Sequence, residues 1–281
     1  MSDFVIFTDS AADLSKDYAE KNGITIIPFY ITFDGTQYFK ENVDLSNDEF
    51  YKKISEGIIP KTSCPSINDY TEAFKTAVDK GKKVICFCIS SKLSGSYQSA
   101  CNAAEEFNKN EKMVYIIDSS LATAAQGLLI NEAVEMKNDG LDAEELYKRA
   151  EELKMTGQVI FVIDDLTYLH KGGRIGKASS LMGTLLNIKP IILLKDGELL
   201  PVGKIRGRKK AAAEIKKIAS ENMLKYGTYS CTVLNFKQTG DIDGFADGIN
   251  TTIPSFFIGS TIGSHVGTSA AGIAYIKKYN K

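Results

Sequence analysis

The sequence predicts an α/β protein of two domains. The N-terminal domain has a mainly parallel sheet flanked by helices, and the C-terminal domain is α+β with a mixed sheet. Three observations lead there. Apolar strand-like runs alternate with helix-like segments through the first half, as in βαβ units. After Gly157 the pattern restarts and includes Asp196-Gly197, a turn pair suited to an antiparallel hairpin. The chain has 281 residues, a length that suits about two domains. The boundary near Gly157 gives domains 1–156 and 157–281.

Each element of the first half follows from local signals. Phe4–Thr8 is a short apolar strand ending in Thr8-Asp9-Ser10. The helix after Ser15 runs to Asn22 and stops at Gly23, the residue most at ease in a left-handed cap. Ile24–Phe33 reads as one strand, with a hairpin return over Thr36–Phe39. Ser46 and Glu49 are spaced as a capping box, as are Ser66 and Asp69, so a helix follows each pair. Between those helices, Lys61–Ser66 reads as an irregular loop. Val84–Ile89 is an unbroken apolar run, hence a buried parallel strand. A Ser/Gly turn leads from it into a helix over about Gly95–Phe107. Met113–Ile117 is a strand ending in Asp118-Ser119, and helices cover about Ala122–Asn138 and Ala143–Met155.

In the second half, Val159–Ile163 is a strand and a helix carries Leu166–Leu169. His170–Lys177 is a basic, glycine-rich loop, and a helix continues to about Leu186. Pro190–Leu194 and Leu199–Lys204 form a hairpin, and Arg206–Lys210 leads into a long helix ending near Gly227. Tyr229–Asn235 and Pro254–Ile258 are strands flanking a helix. His265 falls in a loop between Gly263 and Gly267, where backbone could approach a ligand closely. Gly272–Lys277 is the last strand.

Composition excludes several function classes. Net charge is −1, which argues against nucleic acid and anionic membrane surfaces as partners. No apolar run reaches transmembrane length, and Asp3 stands where a signal peptide would need basic residues. A cytoplasmic protein with no stable membrane anchoring is expected. Cys86 and Cys88 share one face of an apolar strand, so they read as buried, reduced thiols. With no CxxC pair, neither a zinc nor a redox motif is visible. No metal or cofactor is expected.

In parallel sheets ligands sit beyond the carboxyl ends of the strands, where Asp9, Ser90-Ser91 and Asp118 all fall. The turn at Ser90–Ser96 opens a helix whose free N–H groups suit an anion. It is lined by hydroxyls and lacks a phosphate-loop lysine, which favours a carboxylate. The plainer reading makes Ser94 an N-cap and Gly95 a tight turn. Asp9, Asp118 and Asp164/Asp165 could instead gather magnesium for a stand-alone phosphotransferase or hydrolase, or simply order their loops. Gly172–Ala178 narrowly misses a phosphate loop: its spacing is one residue short, and Ala178 replaces the magnesium-binding hydroxyl. Arg174, Arg206 and Arg208–Lys210 are basic clusters. Cations at a helix start oppose its dipole, so an anionic partner or phosphate is the functional alternative to a solvated surface.

In order and spacing, these stretches resemble the DegV family of bacterial fatty-acid-binding proteins. The resemblance rests on Thr8-Asp9-Ser10, Thr62–Ser66, Ser90–Tyr97, Asp118-Ser119, Leu169–Ile175, Lys189-Pro190, Arg206 and His265–Gly267. It implies a carrier rather than an enzyme, one that holds a long-chain fatty acid in an apolar tunnel between its domains. The carboxyl end would be presented to a separate ATP-dependent fatty acid kinase, forming an acyl phosphate for phospholipid synthesis. The resemblance places the carboxylate at Thr62, Ser94 and His265, with Ser63 and Gly95 beside them, and assigns Arg174 and Arg206 to the kinase-dependent step. Cys64 stands where the family usually has Gln, Ser96 where it has Thr, and Thr268-Ser269 where it has Pro-Gly.

Overall fold

A parallel sheet, a mixed sheet and a small antiparallel sheet organise the structure, a computed structural model describing residues 3–164, 166–183, 187–236, 249, 251 and 256–280. The first half contains β1 (Phe4–Asp9), α1 (Lys16–Asn22), β2 (Ile24–Ile27), β3 (Tyr30–Thr32), β4 (Phe39–Lys40), α2 (Asn47–Ser55) and β5 (Lys61–Ser63). It continues with α3 (Ile67–Val78), β6 (Lys83–Cys88), α4 (Ser96–Phe107), β7 (Val114–Asp118), α5 (Thr123–Asn138) and α6 (Ala143–Leu153). The second half contains β8 (Gln158–Val162), α7 (Thr167–Lys171), β9 (Ile188–Lys195), β10 (Glu198–Arg206) and α8 (Arg208–Leu224). It closes with β11 (Tyr229–Asn235), β12 (Phe256–Phe257), α9 (Ser260–Val266) and β13 (Ala271–Lys277).

The parallel sheet has the order β2-β1-β6-β7 and the mixed sheet the order β10-β9-β8-β13-β11-β12. This is the α/β fold expected, with helices packed on the parallel sheet and a mixed sheet built from the second half. The two capping boxes, Ser46 with Glu49 and Ser66 with Asp69, form at the starts of α2 and α3. Asp196 and Gly197 both have positive φ, 52° and 81°, as a tight hairpin between β9 and β10 requires. Cys86 and Cys88 are buried free thiols.

Four local expectations need correction. Ile24–Phe33 is not one strand: it breaks at Pro28, which has no N–H to give a ladder, and β2 and β3 join different sheets. Lys61–Ser63 is not loop but strand, pairing antiparallel with β3 in the third sheet, β4-β3-β5. The helix expected after Lys177 is a 3₁₀ segment, Gly176–Leu181. Its expected end at Leu186 lies outside the described residues, as do Asp165, Pro254 and the body of the helix expected between β11 and β12. His265 sits in a helix, α9, rather than a loop.

The mixed sheet is apolar on both faces, and the alternation along β8 shows how. Val159 and Phe161 join one buried cluster with α5, while Ile160 and Val162 join another with Ala211 and Ile215 of α8. Helix α5 is buried nearly all round and packs against β8, β11 and β13 as well as α6.

Candidate functional site

A cavity opens between the carboxyl edge of the parallel sheet and one face of the mixed sheet. Its apolar wall includes Val159 and Phe161 of β8, Leu194 of β9, Leu199 of β10 and Leu234 of β11. Of the residues singled out by sequence, Thr62, Ser94, Gly95, Arg174 and His265 line this one cavity. Ser63 does not. Side chains alternate along β5, so Thr62 turns inward while Lys61 and Ser63 are exposed. Arg206 is exposed at the end of β10.

Thr62 and His265 are 203 residues apart in sequence and meet at 3.0 Å, Oγ1 to Nε2. Burial, and then the nearby Arg174 cation, lowers the His265 pKa to about 4, so the imidazole is neutral near pH 7. Its Nδ1 is buried against Gly172 and has no hydrogen-bond partner among the described residues. A side chain at 172 would strike the ring, so the glycine is needed for the ring to lie flush. A carboxylate only accepts hydrogen bonds. Thr62 can donate its O–H to one only if its own oxygen accepts from Nε2–H. The neutral tautomer with the proton on Nε2 provides that arrangement.

The glycines around His265 act differently from the sequence expectation. Gly259, Gly263 and Gly267 recur at four-residue spacing and press α9 against protein, not ligand. An added Cβ would stand 2.8 Å from Tyr51 Oη at Gly263 and 2.7 Å from the Tyr168 ring at Gly267. The face carrying Thr261, Ile262, His265 and Val266 is thereby left to line the cavity.

On the opposite wall, the N-cap of α4 is Gly95, not Ser94. Ser94 Oγ accepts the Ser96 N–H at 3.2 Å and keeps its own proton for another acceptor. Ser96, expected to line the anion seat, is instead wholly buried and donates to Asp9 at 2.7 Å. Asp9 also accepts from the Ile89 N–H at 2.9 Å and Gln126 Nε2 at 3.0 Å. Burial outweighs these donors and raises the Asp9 pKa to about 6. Asp118 accepts from the backbone N–H groups of Ser91 and Ser120. Asp164 pairs with Lys189 at 2.9 Å and Arg208 at 3.0 Å. The three carboxylates therefore serve three separate structural tasks, and Asp164 answers the Arg208 cation at the start of α8. Among the described residues no His/Cys/Asp/Glu group is arranged to hold a metal ion.

Arg174 lies in the basic, glycine-rich segment 170–177 of the second half, far in sequence from the hydroxyl-rich stretch. It reaches back to that stretch, donating from Nε to the Leu93 carbonyl at 2.9 Å, and donates from a terminal nitrogen to the Gly172 carbonyl at 2.8 Å. No local pattern announces this contact across 81 residues. Two other lining hydroxyls were missed, Thr123 and Thr261, but both donate to carboxylates behind the wall, Asp13 and Glu41. The polar groups left to meet a ligand thus gather around Thr62, Ser94, His265 and Arg174. The glycine spacing at 259, 263 and 267 was the one sequence signal that could have revealed α9 as a close-packed helix.

Comparisons with known proteins agree with this architecture. A family model described as "Uncharacterised protein, DegV family" matches residues 3–278. A DegV domain-containing protein from Halalkalibacterium halodurans is 32% identical over 286 residues, covering 99% of this chain and 100% of the relative. A stearic acid-binding protein from Eubacterium ventriosum superposes with a TM-score of 0.88 at 32% identity, covering 98% of this chain and 99% of that one. A fatty-acid-binding DegV family protein from Thermus thermophilus gives a TM-score of 0.87 at 30% identity, with coverage of 98% and 99%.

Proposed function

The chain belongs to the DegV family, and we propose that it carries one long-chain fatty acid whose carboxylate meets Thr62, Ser94, Gly95 and His265. The observation that carries this reading is the division of the cavity: a broad apolar wall, with its available donors confined to one neighbourhood. An acyl chain gains about 0.8 kcal/mol per buried CH₂, so the apolar wall supplies most of the affinity. The hydroxyls fix which end of the ligand faces Arg174. Two relatives of matching fold are described as binding fatty acids, which supports the same ligand class here.

On this reading the protein is a cytoplasmic carrier, not an enzyme, with no cofactor and no stable membrane anchoring. Among the described residues no helix is long and apolar enough to cross a membrane. The carboxyl end is presented to a separate ATP-dependent kinase, which forms an acyl phosphate for phospholipid synthesis. Arg174 and Arg206 serve that step, and Ser63, exposed beside Thr62, lies at the rim. The division of the chain into units 1–156 and 157–281 belongs to the same reading. It is supported by the parallel sheet drawing every strand from the first unit and the mixed sheet every strand from the second. The same geometry disfavours a magnesium enzyme built on Asp9, Asp118 and Asp164, because each carboxylate is already engaged by protein donors.

Organic extraction of purified protein followed by mass spectrometry tests the carrier reading. About one fatty acid per chain is expected, and protein that neither retains nor takes up any fatty acid would sink it. Kinase-coupled acyl-phosphate formation tests the finer reading. Arg174→Ala and Arg206→Ala should lose phosphorylation, and Arg206→Ala should still bind lipid. Normal phosphorylation in both would leave these cations as surface charge.

A further inference from the structure

Two carboxylates with no part in the reading above, Asp13 and Glu41, grip the first turn of α9. Glu41 is buried, 2% exposed. Its Oε1 accepts from the Thr261 N–H at 2.8 Å and from Ser260 Oγ at 3.0 Å, and its Oε2 accepts from Thr261 Oγ1. Asp13 accepts from the Gly259 N–H at 3.0 Å and from Thr123 Oγ1. Both carboxylates approach so closely that a Cβ on Gly259 would stand 2.6 Å from Glu41 Oε1 and 2.8 Å from Asp13 Oδ1.

The backbone is held in costly conformations to make this grip. Asp13 and Thr123 have φ of 52° and 49°. The left-handed region is an outlier for a β-branched residue such as Thr123, costing on the order of 1–3 kcal/mol unless the surroundings impose it. Thr261 and His265 are four residues apart, so they share one face of α9, and both line the cavity. Helix α9 has only seven residues, so fixing its first turn fixes the height and rotation of the imidazole. The chain just before it is tied as well, by Tyr51 Oη donating to the Ile258 carbonyl at 2.8 Å.

We infer that Glu41 and Asp13 are positioning residues for the head-group site: by holding the N-terminal turn of α9 they set His265 against Thr62. This rests on the carrier reading, in which Thr62 and His265 meet the ligand carboxylate.

Three variants test it, with stearate affinity and the His265 imidazole NMR signals as paired readouts. Glu41→Leu removes the grip at similar size and should weaken stearate binding by at least about tenfold. Glu41→Gln keeps an amide oxygen that can still accept from Thr261 N–H and Ser260 Oγ, and should restore binding to within about threefold of the parent. Gly259→Ala leaves both carboxylates in place and wedges the helix away from them, so it should weaken binding in the same direction as Glu41→Leu. If Glu41→Leu does not fold, Gly259→Ala still decides the matter. The His265 signals should move in Glu41→Leu and Gly259→Ala and return in Glu41→Gln. Unchanged His265 signals with unchanged stearate affinity in the first two variants overturn the inference while leaving the carrier reading standing. A parent protein that neither retains nor takes up any fatty acid, stearate included, overturns the carrier reading instead. The His265 signals then decide the positioning role alone, shifted signals supporting it and unshifted ones refuting it.

Discussion

The two walls of the polar neighbourhood differ in how their hydrogen-bonding groups are engaged. On the wall built from the parallel sheet, Asp9 is the shared acceptor of Ser96 and Gln126, with Tyr70 Oη and Ser96 Oγ at 2.6 Å; Gln126 Oε1 has no partner among the described residues, but Gln126 does not line the cavity. On the α9 wall, His265 makes one contact at 3.0 Å to Thr62 and leaves Nδ1 unpartnered. A network whose donors are already spent on Asp9 stiffens a wall and offers a ligand little. The α9 wall offers a carboxylate the Thr62 O–H, free to donate once Thr62 accepts from His265 Nε2–H. Structure-holding and ligand-holding groups are thus a few residues apart and easily confused: Ser94 and Ser96 lie on the same turn and face different tasks.

The largest break in this contrast should come from Asp9→Leu. It leaves the Ile89 N–H, Ser96 and Gln126 without their acceptor, and should cost about 3 kcal/mol or more of folding stability. Urea unfolding checks it, and a midpoint shift of a few tenths molar or less would show that Asp9 is dispensable.

The two walls should also respond oppositely to pH. His265 titrates near 4 in the fold against 6.5 ordinarily. The unfolded chain therefore holds the extra proton between those values, and this contribution is complete above pH 6.5 and lost as pH falls toward 4. Asp9 titrates near 6 against 3.8. Here the folded chain holds the extra proton, so its contribution is present below 3.8 and lost as pH rises through 6. His265→Gln removes the first slope and keeps the second. Its stability relative to the parent should improve as pH falls from about 6.5 to 4, by up to about 1.4 kcal/mol per pH unit. The half-buried imidazole makes that figure an upper bound. Parallel stability–pH curves for variant and parent would contradict the assignment.

Ligand-facing changes should show the reverse profile to Asp9. Thr62→Ala with Ser94→Ala should lower stearate affinity by about tenfold or more, and stability by only about 1 kcal/mol. Lipid retention equal to the parent's would place the carboxylate elsewhere. The smallest effect is expected at Arg206→Ala. Its exposed side chain is outside both walls, so stearate affinity should stay within about twofold of the parent in a titration. A larger loss would mean that Arg206 reaches the ligand.

Much of this was legible in the sequence, for physical reasons. Apolar runs and capping boxes are local, so the alternation of strands and helices, the hairpin at Asp196-Gly197 and the helix starts at Ser46 and Ser66 could be read directly. Thr62, Ser94 and His265 were singled out by motif, and the fold brings them to one cavity. Hidden were contacts set only by tertiary packing. Strand β5 has three residues and gains its identity from β3, which Pro28 detaches from β2. Arg174 turns back toward Leu93 because the two halves pack there. The Glu41 and Asp13 grip joins residues more than 200 positions apart and has no local signature.

Helix α5 carries a consequence for how the molecule unfolds. It lies buried between the parallel-sheet core and the mixed sheet, with Gly127 pressed against the Phe256 ring. Its Glu132 accepts from Ser230 on β11 and from the Tyr279 N–H near the end of the described chain. Separating the sheets would strip one side of this helix and strand a buried carboxylate. Cooperative opening of both sheets together is therefore the cheapest way to expose it. In native-state hydrogen exchange the amides of α5 should be among the last to exchange, and those on its two sides should exchange at one common rate.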